Sequence, residues 1–219
     1  QEWETHIAAE TARDLADGGK MHPLQLSLDV QAEMGAEDWL IFDGGNTHFW
    51  SEIAVNMAGW RGQKLGGIMH PGNYSLLGVG VSFGVSAKAL HPDKNVVVIS
   101  GDGAFLSGGL SIEAAFQEAT PITIVIDNNG GLDCISQQQE RLFANGQHFA
   151  TDFRDIPFHS MCEGLGGHGE LVTKREELGP ALRLAMASGK TACVNVKCRG
   201  VISPIVAATS DKRDKASIE

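Results

Sequence analysis

The sequence predicts an α/β fold, a three-layer, doubly wound and mostly parallel sheet. Three observations point to it. Short apolar runs of strand length alternate with segments of helical periodicity along the chain. The runs VVVIS and ITIVI are continuously apolar, as strands buried on both faces are. Three runs end in clusters of Gly, Asp and Asn: Asp43-Gly44-Gly45, Gly101-Asp102-Gly103, and Asp127-Asn128-Asn129-Gly130-Gly131. In a parallel sheet those clusters share one rim, where such folds bind ligands.

The elements follow in order. Residues 1–16 place Trp3, Ile7, Ala8, Ala12 and Leu15 at helical spacing, and Gly18-Gly19 stops the helix. The chain opens inside this pattern with Gln1, which suggests a helix leading in from a preceding segment. A second helix spans residues 21–35, with Pro23 in its first turn. Residues 39–42 form a short buried strand, and a helix runs from about residue 48 to residue 57. Residues 60–78 are a glycine-rich connection without periodicity. Residues 79–91 carry small residues at helical spacing, suited to close packing on a sheet.

The stretch 94–103 reads as a buried parallel strand ending at a turn, 110–120 as a helix and 122–131 as the next buried strand. Residues 155–166 read as helix, 168–173 as a short edge strand, and 174–189 as a helix interrupted near Gly179-Pro180. A last strand covers 191–200. Val201, Ile202, Ile205 and Val206 flank Pro204 and can dock locally, whereas the end of the chain is polar. The domain reading is a linker helix over 1–20, a binding domain over 21–200 and a C-terminal tail over 201–219.

Composition narrows the function. The 219 residues are 42% apolar, which suffices for a substantial core. The formal charge of −10, with no basic stripe, excludes a nucleic-acid binder and opposes any anionic ligand without local help. No apolar run has membrane-spanning length, and the polar opening segment lacks a secretory-signal pattern. Cys134, Cys162, Cys193 and Cys198 fit no zinc spacing. Cys193 reads as a small buried hydrophobe, and a reducing cytoplasm is the expected compartment.

Asp102 alone would be an ordinary turn former. Its neighbours change the reading. Gly101 and Gly103 let backbone approach a ligand, small Ala104 keeps the next turn open, and free N–H groups there can receive phosphate. The Asp102 carboxylate and the Asn129 amide oxygen are hard ligands. With the Gly131 carbonyl, two phosphate oxygens and a water, they complete the octahedral oxygen set that magnesium favours. No Gly-Lys-Ser/Thr follows the glycines, so this is not a P-loop, and the nicotinamide fingerprint is also missing.

Gly101-Asp102-Gly103, 24 residues, then Asn128-Asn129 resembles the diphosphate-binding motif of thiamine-diphosphate enzymes. The wider resemblance is to the acetolactate synthase, benzoylformate decarboxylase, oxalyl-CoA decarboxylase and 2-hydroxyacyl-CoA lyase superfamily. It runs from about residue 21 to residue 197, through HPLQLSLDVQ, DGGNT, GVGVSFGVSAKALHPD, VVVISGDGAF and ACVNV. The resemblance implies magnesium ligands at Asp102, Asn129 and the Gly131 carbonyl, and diphosphate contacts at Gly101, Gly103 and Ala104. It implies that Gly44, Gly45, Asn46 and Thr47 line the far end of the cofactor trough. Leu77, which on its residues alone reads as a core leucine before a helix, falls where the family bends its cofactor over a large apolar side chain.

Two departures stand out. Ser82 replaces a frequent proline, and GGLDCI replaces the aromatic residue that often follows the motif, implying a small or mobile roof. His70, Tyr74, His48 and Phe49 stand near the predicted rim as substrate contacts or as packing. His159 and His168 read as non-catalytic. Lys197 and Arg199 read as a solvated edge, with an anionic substrate tail as the alternative.

The family completes its site with a glutamate on a separate pyrimidine-binding domain, and no such domain is visible here. The resemblance therefore implies half a site, from a fragment or a natural small subunit of a heteromeric decarboxylase, with little activity on its own. The implied reaction cleaves or forms a C–C bond next to a carbonyl, on small 2-oxo acids or 2-hydroxyacyl-CoA thioesters. FAD is possible in a full-length enzyme. A homo-oligomer or heteromer is expected, because the helix over 79–90 would otherwise leave apolar residues in water. The competing readings are a non-catalytic binding or regulatory module and an unrelated flavodoxin-like domain.

Overall fold

The computed structural model describes every residue except 1, 17, 144 and 209–219. Six parallel strands form one sheet: β1 (Trp39–Asp43), β2 (Gly67–Met69), β3 (Val96–Gly101), β4 (Thr123–Asn128), β5 (His168–Val172) and β6 (Ala192–Lys197), in the order β2-β1-β3-β4-β6-β5. Register pairs Ile41 with Val98, Ser100 with Ile126, and Asn128 with Lys197. The chain steps outward from β1 to β2, then crosses back to place β3 on the other side of β1. The connections leaving β1 and β3 therefore diverge, opening a crevice at their carboxyl ends.

Strand residues alternate between two cores, as the pleat requires. Leu40, Phe42, Val97, Ile99, Val125 and Val194 face α2 (Pro23–Ala32) and α9 (Arg175–Ala187), meeting Leu26, Val30, Leu178 and Leu182. Ile41, Val96, Val98, Ile124, Ile126 and Cys193 face α4 (Gly80–Leu90), α6 (Ile112–Gln117) and α8 (Phe158–Gly164), meeting Val81, Ala87, Ile112 and Phe158. Cys193 is a wholly buried free thiol, so its part is packing. Within α4, Gly84 lets the helix approach β3: a Cβ there would stand 2.6 Å from Val98 Cγ2.

The remaining helices are α1 (Glu2–Ala16), α3 (Asn46–Trp60), α5 (Asp102–Gly108) and α7 (Asp133–Leu142), with 3-10 turns at Gly72–Tyr74 and Gly109–Ser111. Three sequence expectations need correction. The helix placed at 174–189 is not interrupted: α9 runs through Pro180. The ring costs one amide bond, but the buried stripe of Leu178, Ala181, Leu182 and Ala185 holds the helix. Its start is closed by Glu177 Oε2, which accepts from the amides of Thr173 (2.9 Å) and Lys174 (3.1 Å). The glycine-rich connection contains the edge strand β2, too short to show a period. The helix expected over 110–120 is α6, entered through a 3-10 turn, but a further short helix, α5, starts at Asp102 where only a turn was expected. The short edge strand expected at 168–173 is present as β5, which His168 opens.

After β6 the chain docks as its apolar residues suggest. Trp50 Nε1 donates to the Val201 carbonyl at 2.9 Å, and Val206 is buried. The polar end expected to be less ordered lies mostly outside the described residues.

Candidate functional site

The three polar clusters meet at the crevice between β1 and β3. At the end of β1, Asp43 Oδ2 accepts from the amides of Gly78 (2.9 Å) and Gly80 (2.8 Å), which fastens the segment carrying Leu77 to the sheet. Gly44 has φ +136°, a conformation that favours glycine, and turns the chain into α3. Thr47 Oγ1, in the first turn of α3, donates to Asp127 Oδ2 at 2.8 Å and so ties α3 to the end of β4.

The ends of β3 and β4 are joined through Asp102. Its Oδ1 accepts from Gly103 N at 2.7 Å, and its Oδ2 accepts from Gly130 N at 2.8 Å and Gly131 N at 3.1 Å. Asn129 Oδ1 accepts from the same Gly131 N at 3.2 Å. The two side-chain oxygens therefore converge on one amide. The turn is held from outside by an antiparallel bridge, in which Leu132 N donates to Thr151 O and Phe153 N to Gly130 O, both at 2.8 Å. Leu132 lies so close over Gly103 that a Cβ there would come within 2.4 Å of its Cδ2.

These contacts enclose a cleft of about 310 Å³. Residues 44–47, Leu77, residues 101–104, Asn129 and Gly131, all singled out from the sequence, line it. Reading the sequence missed part of the wall. Asp133, Cys134 and Ile135, in the first turn of α7, also line the cleft, so a helix stands where a small or mobile roof was expected. The signal was present: an acid opening a run of strong helix formers, QQQER. Phe49 and Ser75 complete the rim. Of the other rim candidates, Tyr74 is 96% exposed, and His70 stacks on Phe42 with ring centroids 5.0 Å apart. His48 is buried against Phe42 and Phe49. Lys197 pairs with Asp155.

The electrostatics are one-sided. No Lys, Arg or His lines the cleft among the described residues. Burial, then the neighbouring Asp127, pushes Asp102 up to about 7, and three glycine amides oppose the shift. Burial likewise raises Asp127 and Asp43, and takes Asp133 up to about 7 with help from Asp127. The described residues contain no cluster of three or more His, Cys, Asp or Glu side chains that could hold a metal. Where β3 and β4 end, the cleft offers a cation the Asp102 carboxylate, the Asn129 amide oxygen and the main chain at Gly131. Such a partial set needs oxygens from a ligand to complete it.

Comparison with known proteins gives the geometry a family. The family described as "Thiamine pyrophosphate enzyme, C-terminal TPP binding domain" matches residues 43–196. A Mycobacterium bovis protein described as a probable acetolactate synthase is 30% identical over 205 residues, covering 90% of this chain and 36% of its own. A 2-hydroxyacyl-CoA lyase of Oryza sativa subsp. japonica is 27% identical, covering 94% of this chain and 35% of its own. This chain thus spans about a third of the length of these relatives. Among solved structures, a thiamine diphosphate-dependent 4-hydroxybenzoylformate decarboxylase of Rhodococcus jostii RHA1 has the same fold. Its TM-score is 0.71 at 24% identity, over 85% of this chain and 34% of that one. The matched residues begin at Asp43 and end at Val196, two strands past the Asp102–Asn129 junction, and on that match the chain belongs to the thiamine pyrophosphate enzymes, as their C-terminal TPP-binding domain.

Proposed function

We propose that this chain supplies the diphosphate-binding half of a thiamine diphosphate- and magnesium-dependent site that cleaves or forms a C–C bond beside a carbonyl. The convergence of Asp102 and Asn129 on the Gly131 amide, inside a cleft lined by the glycine turns, carries the reading. Bound thiamine diphosphate supplies a nucleophilic carbon and an electron sink. The chain binds and orients. Asp102, Asn129 and the Gly131 carbonyl hold magnesium, whose charge offsets that of the diphosphate in a cleft without cationic side chains. Gly101, Gly103 and Ala104 receive the diphosphate at the start of α5, and residues 44–47 line the far end. Leu77 presents an apolar surface that bends the cofactor.

A pyrimidine-binding domain or subunit supplies the activating glutamate. Exposed Tyr74, Leu76, Leu90 and Leu110 support assembly with it or with further copies. Small 2-oxo acids or 2-hydroxyacyl-CoA thioesters are the substrate classes, and any FAD belongs to a longer enzyme. Residues 1–20 serve as the linker helix and 201–219 as the tail. A cytoplasmic location agrees with four free cysteines.

Two experiments test this. The chain alone, given cofactor, magnesium and a 2-oxo acid, is expected to turn over negligibly and to gain activity with a pyrimidine-binding partner. Substantial turnover by the chain alone would refute the half-site. The second reads pH. A cation binds the anionic form of Asp102, so magnesium-dependent cofactor affinity should rise with pH and level off above about 7, falling about tenfold per unit below it. In the cation-free protein the sign for folding is opposite. The raised carboxyl binds an extra proton when folded, so its contribution to stability is present below about pH 4 and lost as the pH rises through about 7. Calorimetric titration and thermal melts across this range check both, and a flat affinity profile would remove Asp102 from the metal site.

A further inference from the structure

Gln137 of α7 lines a second cavity, behind the cleft, between α1, α7 and the segment after β6. We propose that Gln137 is nonetheless a positioning residue for the cofactor, because it fixes from behind the side chain that Asn46 presents to the cleft. The proposal rests on the function proposed above, in which residues 44–47 line the far end of the cofactor trough.

Three segments meet at Asn46. It opens α3, lines the cleft and is 6% exposed. Its Nδ2 donates to Gln137 Oε1 at 3.1 Å, and its Oδ1 accepts from the main-chain amide of Ser203 at 3.0 Å. Ser203 is wholly buried, and its segment is anchored on its own account. Arg199 N donates to the Met21 carbonyl at 3.1 Å, Trp50 Nε1 to the Val201 carbonyl, and Val206 N to Ser203 Oγ at 3.3 Å. Gly200 lies so close to the Asp133 carboxylate at the start of α7 that no Cβ fits between them. The Ser203 amide is therefore a fixed point, and α7 is pressed against the segment that carries it.

That fixed point sets the polarity of the whole relay. A side-chain amide can turn over, exchanging its oxygen and nitrogen, unless its partners forbid it. A main-chain N–H can only donate, so Ser203 demands Oδ1 at one end of Asn46 and leaves Nδ2 at the other. Nδ2 in turn demands an acceptor, which Gln137 supplies. Turned over, Asn46 would set two donors against each other at Ser203. Asn46 thus offers the cleft one orientation, with one N–H and one lone pair left over, and a ligand meets it already ordered. Without the Gln137 oxygen, the buried Nδ2 loses its partner, and swinging toward the cleft becomes its way to recover one.

Calorimetric titration with thiamine diphosphate and magnesium, on Gln137→Leu and Gln137→Glu beside the parent, tests the relay. Leucine keeps bulk without an acceptor, whereas glutamate keeps an oxygen where Oε1 stands. Affinity should fall about tenfold in Gln137→Leu and stay within about twofold of the parent's in Gln137→Glu. A merely structural role would lower the melting temperature and leave affinity, read well below melting, unchanged. Hydrogen exchange reads the relay without cofactor: the Ser203 amide should exchange at least about fivefold faster in Gln137→Leu than in the parent or Gln137→Glu. Circular dichroism checks folding, and Gln137→Ala carries the same expectations should Gln137→Leu not fold. A parent that binds no cofactor would overturn the function proposed above, and the exchange result then decides the relay by itself. Parent-like affinity in Gln137→Leu, an equal loss in Gln137→Glu, or the same Ser203 exchange in all three proteins would overturn the proposal.

Discussion

Replacing Asp102 with alanine is expected to lower magnesium-dependent thiamine diphosphate affinity by at least about a hundredfold, because charge-assisted contacts are worth about 1.5–3 kcal/mol each. Two losses add. The proposed metal site loses its only carboxylate, and the amides of Gly103, Gly130 and Gly131 lose their acceptor in a region where Asp102 is 2% exposed. Asp102→Asn separates the two effects. It keeps the volume and one acceptor oxygen but removes the charge, so it should hold the turn and still bind magnesium poorly. Asn129→Ala removes one neutral ligand and one contact to Gly131, and should cost less than Asp102→Ala. Titration calorimetry at fixed magnesium reads all three. Parent-like affinity in Asp102→Ala would sink the metal assignment.

Gly108→Ala should be the most damaging single methyl in the fold. A Cβ at Gly108 would stand 2.0 Å from the Gly78 carbonyl oxygen, and neither side can yield cheaply. Gly78 is held at φ +91°, and its amide is bound to Asp43 at 2.9 Å. Overpacking against backbone costs about 3 kcal/mol or more, which for a domain of this size lowers the melting temperature by roughly 10 °C. Gly78 directly follows Leu77, so the same variant should also weaken cofactor binding by moving the cleft wall. Gly164→Ala is the matched control: nothing lies within 4 Å of its Cβ, and its melting temperature should stay near the parent's. A parent-like melt for Gly108→Ala would show that the Gly78–Gly108 contact is not rigid.

Much of the fold and of the cleft is legible in the amino-acid sequence, for particular reasons. β3 and β4 are continuous apolar runs, and a strand buried on both faces can be recognised from its own residues. Gly101-Asp102-Gly103 and Asn128-Asn129 stand at strand ends, where local geometry demands small and polar residues. β2 is hidden because three residues carry no period, and pairing with β1 alone makes them a strand. α7 is hidden because its exposed polar face resembles a loop and only Ser136 is buried. The break expected at Gly179-Pro180 fails because packing of Leu178 and Leu182 outweighs one lost amide bond.

By itself, then, the sequence determined the alternation of strands and helices, the rim on which ligands sit and the residues of the two loop tips, since each depends on interactions within a few neighbours. Only the tertiary structure decided the crossing from β2 to β3 that opens the crevice, the meeting of Asp102 and Asn129 on one amide, and the relay from Gln137 through Asn46 to Ser203. Those depend on residues tens to more than a hundred positions apart coming together, such as Asn46 and Ser203, and no local periodicity encodes which distant segments become neighbours.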